Sequence, residues 1–287
     1  MLGYLHGYHA GNPADVLKHS ALLFCLAYLK QKKKPFLCVD TQAGSGIYGL
    51  DENSHNREWE HGVGRLLVPA ADRAGMPSLI GEYLKFQGGY LSARQYAGSS
   101  EIMARLLEKG DRLVSFELHP REFVSLEAAM YREVPGKGPS IQVRREDGPA
   151  GLKALLPPVS RRGLIFIDPS WEERDEYETV PRYLGEGLRR FPGGTFIVWY
   201  PLLAVQKGKA SFSLPDALFG LANLPRCRIA LLAEDGPGMR SPRGMYGSGL
   251  VIYNPPWTLK AALEEAMPFL ALALGGAEGG WRFDWTD

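Results

Sequence analysis

Seven short apolar runs, separated by helix-like segments, constrain the fold of this chain more than any other feature. They are PFLCVD (35–40), RLVSFEL (112–118), SIQVRRED (140–147), LIFID (164–168), TFIVWY (195–200), CRIALLAE (227–234) and GLVIYN (249–254). Segments such as PREFVSLEAAMYREV and YETVPRYLGEGLRRF read as helices between several of them. Strands alternating with helices over this length imply an α/β chain, with a parallel sheet and helices on both faces. Four runs finish at or beside an acid: Asp40, Glu117, Asp147 and Asp168. In an open α/β sheet, ligands sit beyond the carboxyl ends of the strands, so these four carboxylates are expected to face one crevice.

The pattern breaks between Gly49 and Ser99, where no strand-like run is evident. This predicts a Rossmann-like domain made of 1–49 and 96–287, interrupted by a small, mostly helical subdomain at 50–95. A chain of 287 residues has room for such a core. Before the first strand, Asn12 as N-cap, Pro13 in the first turn and Asp15 predict a helix that ends in the lysines of KQKKK (30–34). Within that helix ALLFCLAYL is too short to span a bilayer, so no membrane partner is expected. Cys25, Cys38 and Cys227 are odd in number and far apart, which points to reduced thiols in a cytoplasmic protein. Lys and Arg total 33 against 32 Asp and Glu, so a polyanion would have to meet a local basic patch.

The first strand runs into a glycine turn, Gly44-Ser45-Gly46-Ile47-Tyr48-Gly49. Glycines there let the backbone turn tightly and approach a nucleoside closely. A dinucleotide site would bring the strand almost directly into the first glycine, with pyrophosphate on the following helix. Here Asp40 ends the strand and three residues intervene before Gly44. That spacing favours S-adenosylmethionine (SAM), which has no pyrophosphate, over a nicotinamide cofactor. Glu117 would then accept hydrogen bonds from the ribose hydroxyls, and Asp147 one from the adenine amine.

Asp168-Pro169-Ser170-Trp171 follows the fourth strand. An exocyclic amine on a base is a poor nucleophile because its lone pair is delocalised into the ring. Acceptors for both N–H protons draw the lone pair out of conjugation. The Asp168 carboxylate and the Pro169 carbonyl can supply them, with Trp171 as a stacking face worth about 1–3 kcal/mol. A second stretch, Asn254-Pro255-Pro256-Trp257, fits the same pattern by letters. It comes after the last strand, with little chain left to build a cleft, and reads as a structural stop.

With these residues in place, the chain resembles the RlmJ family, the 23S ribosomal RNA (adenine-N6)-methyltransferases. MLGYLHGYHAGNPADVLKH, PFLCVDTQAGSGIY, FELHP, EDG, LPPVSRRGLIFIDPSWE, WYP and GLVIYNPPW carry the resemblance. It implies a class I SAM-dependent methyltransferase fold of about seven strands with an inserted helical subdomain. The implied partner is largely protein-free 23S ribosomal RNA, met as a monomer. By matching position Asp168 is the catalytic carboxylate, also in contact with the cofactor. Lys18, His19, Gln42, Ser99, Glu117, Asp147 and Gly148 fall where the family holds SAM, and Tyr4 and His6 where it approaches the target base. Gln42 replaces a histidine of the family, Ser170 a proline and Trp171 a tyrosine. A DNA adenine-N6 methyltransferase and an RNA-binding protein without catalysis remain as alternatives.

His6, His9, Asp15 and His19 crowd the N-terminus, but their spacing matches no common zinc site, and methyl transfer needs no Lewis acid, so no metal is expected. KQKKK, Arg161-Arg162, Arg189-Arg190, Lys207, Lys209, Arg240 and Arg243 are candidate phosphate contacts. Such contacts would position RNA without reading its sequence.

Overall fold

The structure is a computed structural model that describes residues 6–50, 57–67, 75–132, 138–203, 209–232 and 245–287. After a single 3-10 turn at His6–Tyr8, helix α1 (Pro13–Lys30) begins where the sequence places it. The Asn12 side chain accepts the Asp15 backbone N–H at 3.0 Å, and Pro13 occupies the first turn, where its fixed φ costs nothing. The first half of α1 is buried almost all round, with Asp15, Lys18 and His19 inside it. Three ionisable groups in so dry a place require partners.

Among the described residues ten strands follow in chain order: β1 (Leu37–Asp40), β2 (Ile47–Gly49), β3 (Gln95–Ala97), β4 (Arg112–Phe116), β5 (Ser140–Arg144), β6 (Gly163–Ile167), β7 (Thr195–Leu203), β8 (Arg226–Leu232), β9 (Met245–Tyr253) and β10 (Gly280–Thr286). The helices between them are α2 (Ser78–Ser92), α3 (Ser99–Leu106), α4 (Pro120–Tyr131), α5 (Gly148–Leu155), α6 (Glu176–Arg190), α7 (Lys209–Phe219) and α8 (Leu259–Gly275). The main sheet has the order β5-β4-β1-β6-β7-β9-β8-β10. Pairing is parallel from β5 through β7 and antiparallel at β9 and β10. Every residue of β1 and β6 is buried, so both sheet faces are covered. On one side α1 packs with α2, α3 and α8; on the other α5 packs on α6, and α6 on α7.

All seven expected strands are in this sheet, but it has eight strands rather than about seven. The additional one, β10, pairs along the whole of β8 and covers its edge. Trp281, Phe283 and Trp285 alternate with Arg282 and Asp284 along it, so a period-two signal exists without any continuous apolar run.

Among the described residues of 50–95, α2 supplies the expected helical character. The stretch begins and ends at an antiparallel ribbon in which Ile47 pairs with Ala97. Gln87 on α2 fastens that ribbon, donating to the Ala97 carbonyl (2.9 Å) and accepting its N–H (3.0 Å).

Asn254-Pro255-Pro256-Trp257 is a structural stop. Asn254 sits at φ +50°, and its amide donates to the carbonyls of Pro192 (2.8 Å) and Gly194 (2.6 Å). Because β9 runs antiparallel to β7, this places the stretch at the opposite end of the sheet from the carboxyl ends of the parallel strands. Asn254→Ala is expected to cost about 1–2 kcal/mol in urea unfolding, from lost hydrogen bonds and left-handed strain on alanine. A change below about 0.3 kcal/mol would show that the asparagine holds nothing.

Candidate active site

From β1 the chain moves to β4 and β5 on one side and later to β6 and β7 on the other. The order reverses between β1 and β6, and such a reversal leaves a crevice above the carboxyl ends of the strands. A cavity of about 420 Å³ opens there, within the roughly 300–1,000 Å³ usual for small-molecule sites. Glu117 and Asp168 lie one residue beyond β4 and β6, and Asp147 is the N-cap residue of α5. These three acids line the cavity, as do His6, His19, Gln42, Ser99 and Gly148. The fourth strand-end acid, Asp40, stands behind the wall. It is fully buried and accepts hydrogen bonds from Ser99 (2.6 Å) and Ser100 (2.7 Å). Burial, only partly offset by those serines, pushes its carboxyl up to about 6.

Lys18 reaches Asp168 from α1, with Nζ 2.6 Å from Asp168 Oδ2 and 2.8 Å from Asp15 Oδ1. Its ammonium also lies 5.4 Å from the centre of the Trp199 ring. Asp15 is wholly buried and receives the Gly11 N–H (2.8 Å) and His6 Nε2 (3.2 Å). Burial opposes its charge, yet the Lys18 ammonium, helped by His6, outweighs that and holds the carboxyl well below its usual range. His19 is buried against Tyr96, whose hydroxyl lies 2.7 Å from Nδ1. Burial lowers its pKa to about 3, so the ring is neutral at physiological pH. Gln42 Oε1 accepts the Asp168 backbone N–H at 3.3 Å, which ties the glycine turn to the end of β6.

The glycine turn and the start of α5 form a close-fitting cradle. A Cβ on Gly44 (φ +57°) would fall 1.9 Å from the Tyr48 hydroxyl oxygen, and one on Gly148 would fall 2.0 Å from the Thr41 carbonyl. Glu117 accepts the N–H groups of Gly44 (2.8 Å) and His119 (2.7 Å), and burial raises its pKa.

Trp171 departs from expectation. At φ +55° its side chain turns into the core, where it is 1% exposed and donates Nε1–H to the Trp199 carbonyl at 3.1 Å. With Tyr177 packed against it, the ring offers no stacking face to the cavity. Pro169 is buried beside it, and Tyr4 lies outside the described residues. Sequence reasoning missed Tyr48, Leu118, Glu122, Pro149, Val180 and Tyr183, which complete the wall. Val180 and Tyr183 are three apart on α6, a helical spacing that could have flagged them.

An acidic rim decides the class of ligand. Glu172, Glu173, Asp175 and Glu176 line the cavity together with Glu117, Asp147 and Asp168, while no Lys or Arg does among the described residues. A pyrophosphate would be repelled there, whereas a cationic nucleoside such as SAM, with a sulfonium and an ammonium group, is favoured. The family described as "Ribosomal RNA large subunit methyltransferase D, RlmJ" matches residues 33–287. The chain belongs to the RlmJ family. A ribosomal RNA large subunit methyltransferase J from Haemophilus influenzae is 37% identical over 292 residues, covering 99% of both chains. Its namesake from Escherichia coli is 36% identical over 273 residues, covering 94% of this chain and 93% of the relative. The crystal structure of protein LPL1258 from Legionella pneumophila superposes with a TM-score of 0.83 at 32% identity, covering 96% of this chain and 98% of that one. The fold is that of the class I SAM-dependent methyltransferases, and the cradle and rim fit SAM as the RlmJ cofactor.

The basic candidates separate by position. KQKKK precedes β1, Arg161-Arg162 precede β6 and Arg189-Arg190 precede β7, so all lie at the end of the sheet away from the cavity. Arg162 is a structural clamp, donating to the carbonyls of Leu29 (2.5 Å), Lys32 (3.3 Å) and Lys34. Lys207, Arg240, Arg243 and the Lys209 side chain lie outside the described residues.

The raised Asp40 carboxyl yields a pH test. An unfolded aspartate titrates near pH 4 and the folded one at about 6. Folding therefore takes up a proton between those values, and stability falls as pH rises through them. Urea unfolding is expected to show Asp40→Asn gaining stability relative to the native protein between pH 4 and 6, with no further gain above pH 7. Equal differences at pH 4.5 and pH 7.5 would contradict this.

Proposed function

We propose that the protein is a SAM-dependent ribosomal RNA methyltransferase that methylates the exocyclic N6 of an adenine in 23S RNA. The observation that carries this reading is the Asp168 carboxylate, placed at the cavity wall by the end of β6 and gripped by Lys18. Lys18, His19, Gln42, Ser99, Glu117, Asp147, Gly148 and Asp168 would hold SAM. When bound, SAM supplies an electrophilic methyl group on sulfur. The carboxylates of Glu117 and Asp147, which line the cavity, would accept hydrogen bonds from the cofactor's ribose hydroxyls and adenine amine. Asp168 and the Pro169 carbonyl accept the two N–H protons of the target amine, orienting its lone pair for in-line attack. Catalysis in this scheme is orientation and electrostatics, with no covalent enzyme intermediate.

His6 lines the cavity with its ring edge-on to Tyr48 (5.2 Å), where it can contact the incoming base together with Tyr4. The acidic rim repels phosphates, so the RNA backbone stays outside and only a base enters, which requires the target adenine to leave its stack. The substrate is largely protein-free RNA, the enzyme acts as a monomer in the cytoplasm, and residues 50–95 form an inserted subdomain. Among the described residues, no helix is long and apolar enough to cross a membrane.

Asp168→Asn tests the assignment. Calorimetry with S-adenosylhomocysteine is expected to give a Kd within about threefold of the native value, while methyl transfer to deproteinised 23S RNA falls by at least 10²-fold. Transfer within a few-fold of native would refute it.

A further inference from the structure

Asp15 is too deeply buried and too highly charged to serve only as the first-turn acid of α1. Its side chain has no exposure, yet it is joined to two groups that approach the cavity: Lys18, which grips Asp168, and His6, which lines the wall. A continuous array runs His6–Asp15–Lys18–Asp168, with separations of 3.2, 2.8 and 2.6 Å. We infer that Asp15 is a positioning residue for methyl transfer: it shares the Lys18 ammonium with Asp168 and so sets how firmly that carboxylate is held when the target amine arrives. The inference rests on Asp168 being the carboxylate that receives the amine.

The reasoning is electrostatic. An ammonium between two carboxylates in a dry site divides its attraction, and each partner weakens the hold on the other. Removing the charge at Asp15 takes away one of the two carboxylates that share the Lys18 ammonium and leaves Asp168 in place. The ammonium then shifts toward that group and competes with the substrate N–H protons for the same oxygens. His6, which lines the cavity, would also lose the anion that fixes its ring. The glycine turn, Glu117 and Asp147, which would carry the ribose and adenine contacts, lie on other elements and stay in place, so cofactor affinity changes little.

Asp15 also has a structural contact, because its Oδ2 accepts the Gly11 N–H at the start of α1. Asp15→Asn separates the two roles, since its amide oxygen can still accept that N–H while the charge is gone. For Asp15→Asn we expect kcat for methyl transfer to fall at least tenfold. KM for deproteinised 23S RNA should stay within threefold, and so should the calorimetric Kd for S-adenosylhomocysteine. Combined with Lys18→Met, it should cost little more than Lys18→Met alone, because residues acting through one another are not additive. A kcat within twofold of native, or full additivity with Lys18→Met, overturns the inference. Should Asp15→Asn fail to fold, Asp15→Glu keeps the charge and displaces it by one methylene. It is read in the same way, with a lowered kcat at unchanged Kd expected and native kcat overturning the inference. Asp168→Asn, measured alongside, keeps the failures apart. If it retains transfer, the reading of Asp168 falls; if it is inactive while Asp15→Asn is native, only the role of Asp15 falls.

Discussion

The parallel pairing of β1 with β4 on one side and β6 on the other is the constraint on which the rest depends. In that register Asp40 stands beside Ser115 and Phe166, so three strands end level with one another. Everything chemical in the molecule is hung from that edge: Glu117 one residue past β4, Asp168 one residue past β6, and the glycine turn after β1. A slip of one residue in either pairing would turn the strand's side chains to the opposite face and scatter the acids. The site is therefore a property of sheet register first and of individual side chains second.

The second organising feature is α1, which brings charge to the edge from outside the sheet. A buried lysine is tolerable because two carboxylates meet it, and a wholly buried Asp15 is tolerable because Lys18, His6 and the Gly11 N–H meet it. The N-terminal segment thus contributes His6 and His19 to the wall of the cavity. The distribution of surface charge follows the same logic. Acids surround the cavity, and the lysine tail lies at the far end of the sheet, its carbonyls held by Arg162.

Much of this was legible in the sequence. The seven apolar runs correspond to seven of the eight strands of the main sheet, and three of their four acidic ends line the crevice, because strand termini in a parallel sheet obey topology. β10 escaped because its aromatics alternate with Arg282 and Asp284, a pattern of a half-covered edge strand, not a buried one. Trp171 was misplaced for a different reason. The letters Asp-Pro-Ser-Trp do not reveal that residue 171 takes a positive φ, and that angle alone sends the indole inward to Trp199. KQKKK, Arg161-Arg162 and Arg189-Arg190 lie at the end of the sheet away from the cavity, a placement that charge runs by themselves do not reveal. Asp15 was visible only as a helix-start signal, since its link to Asp168 spans the fold through Lys18.

The central claim is that an acid at the end of β6 presents an adenine amine to a methyl donor held over the same strand ends. Its most direct test is the identity of the product. Deproteinised 23S RNA incubated with the purified protein and isotopically labelled SAM, digested to nucleosides and resolved by mass spectrometry, is expected to carry the label as N6-methyladenosine. Label on a ribose oxygen, on a ring carbon or on another base would contradict the account.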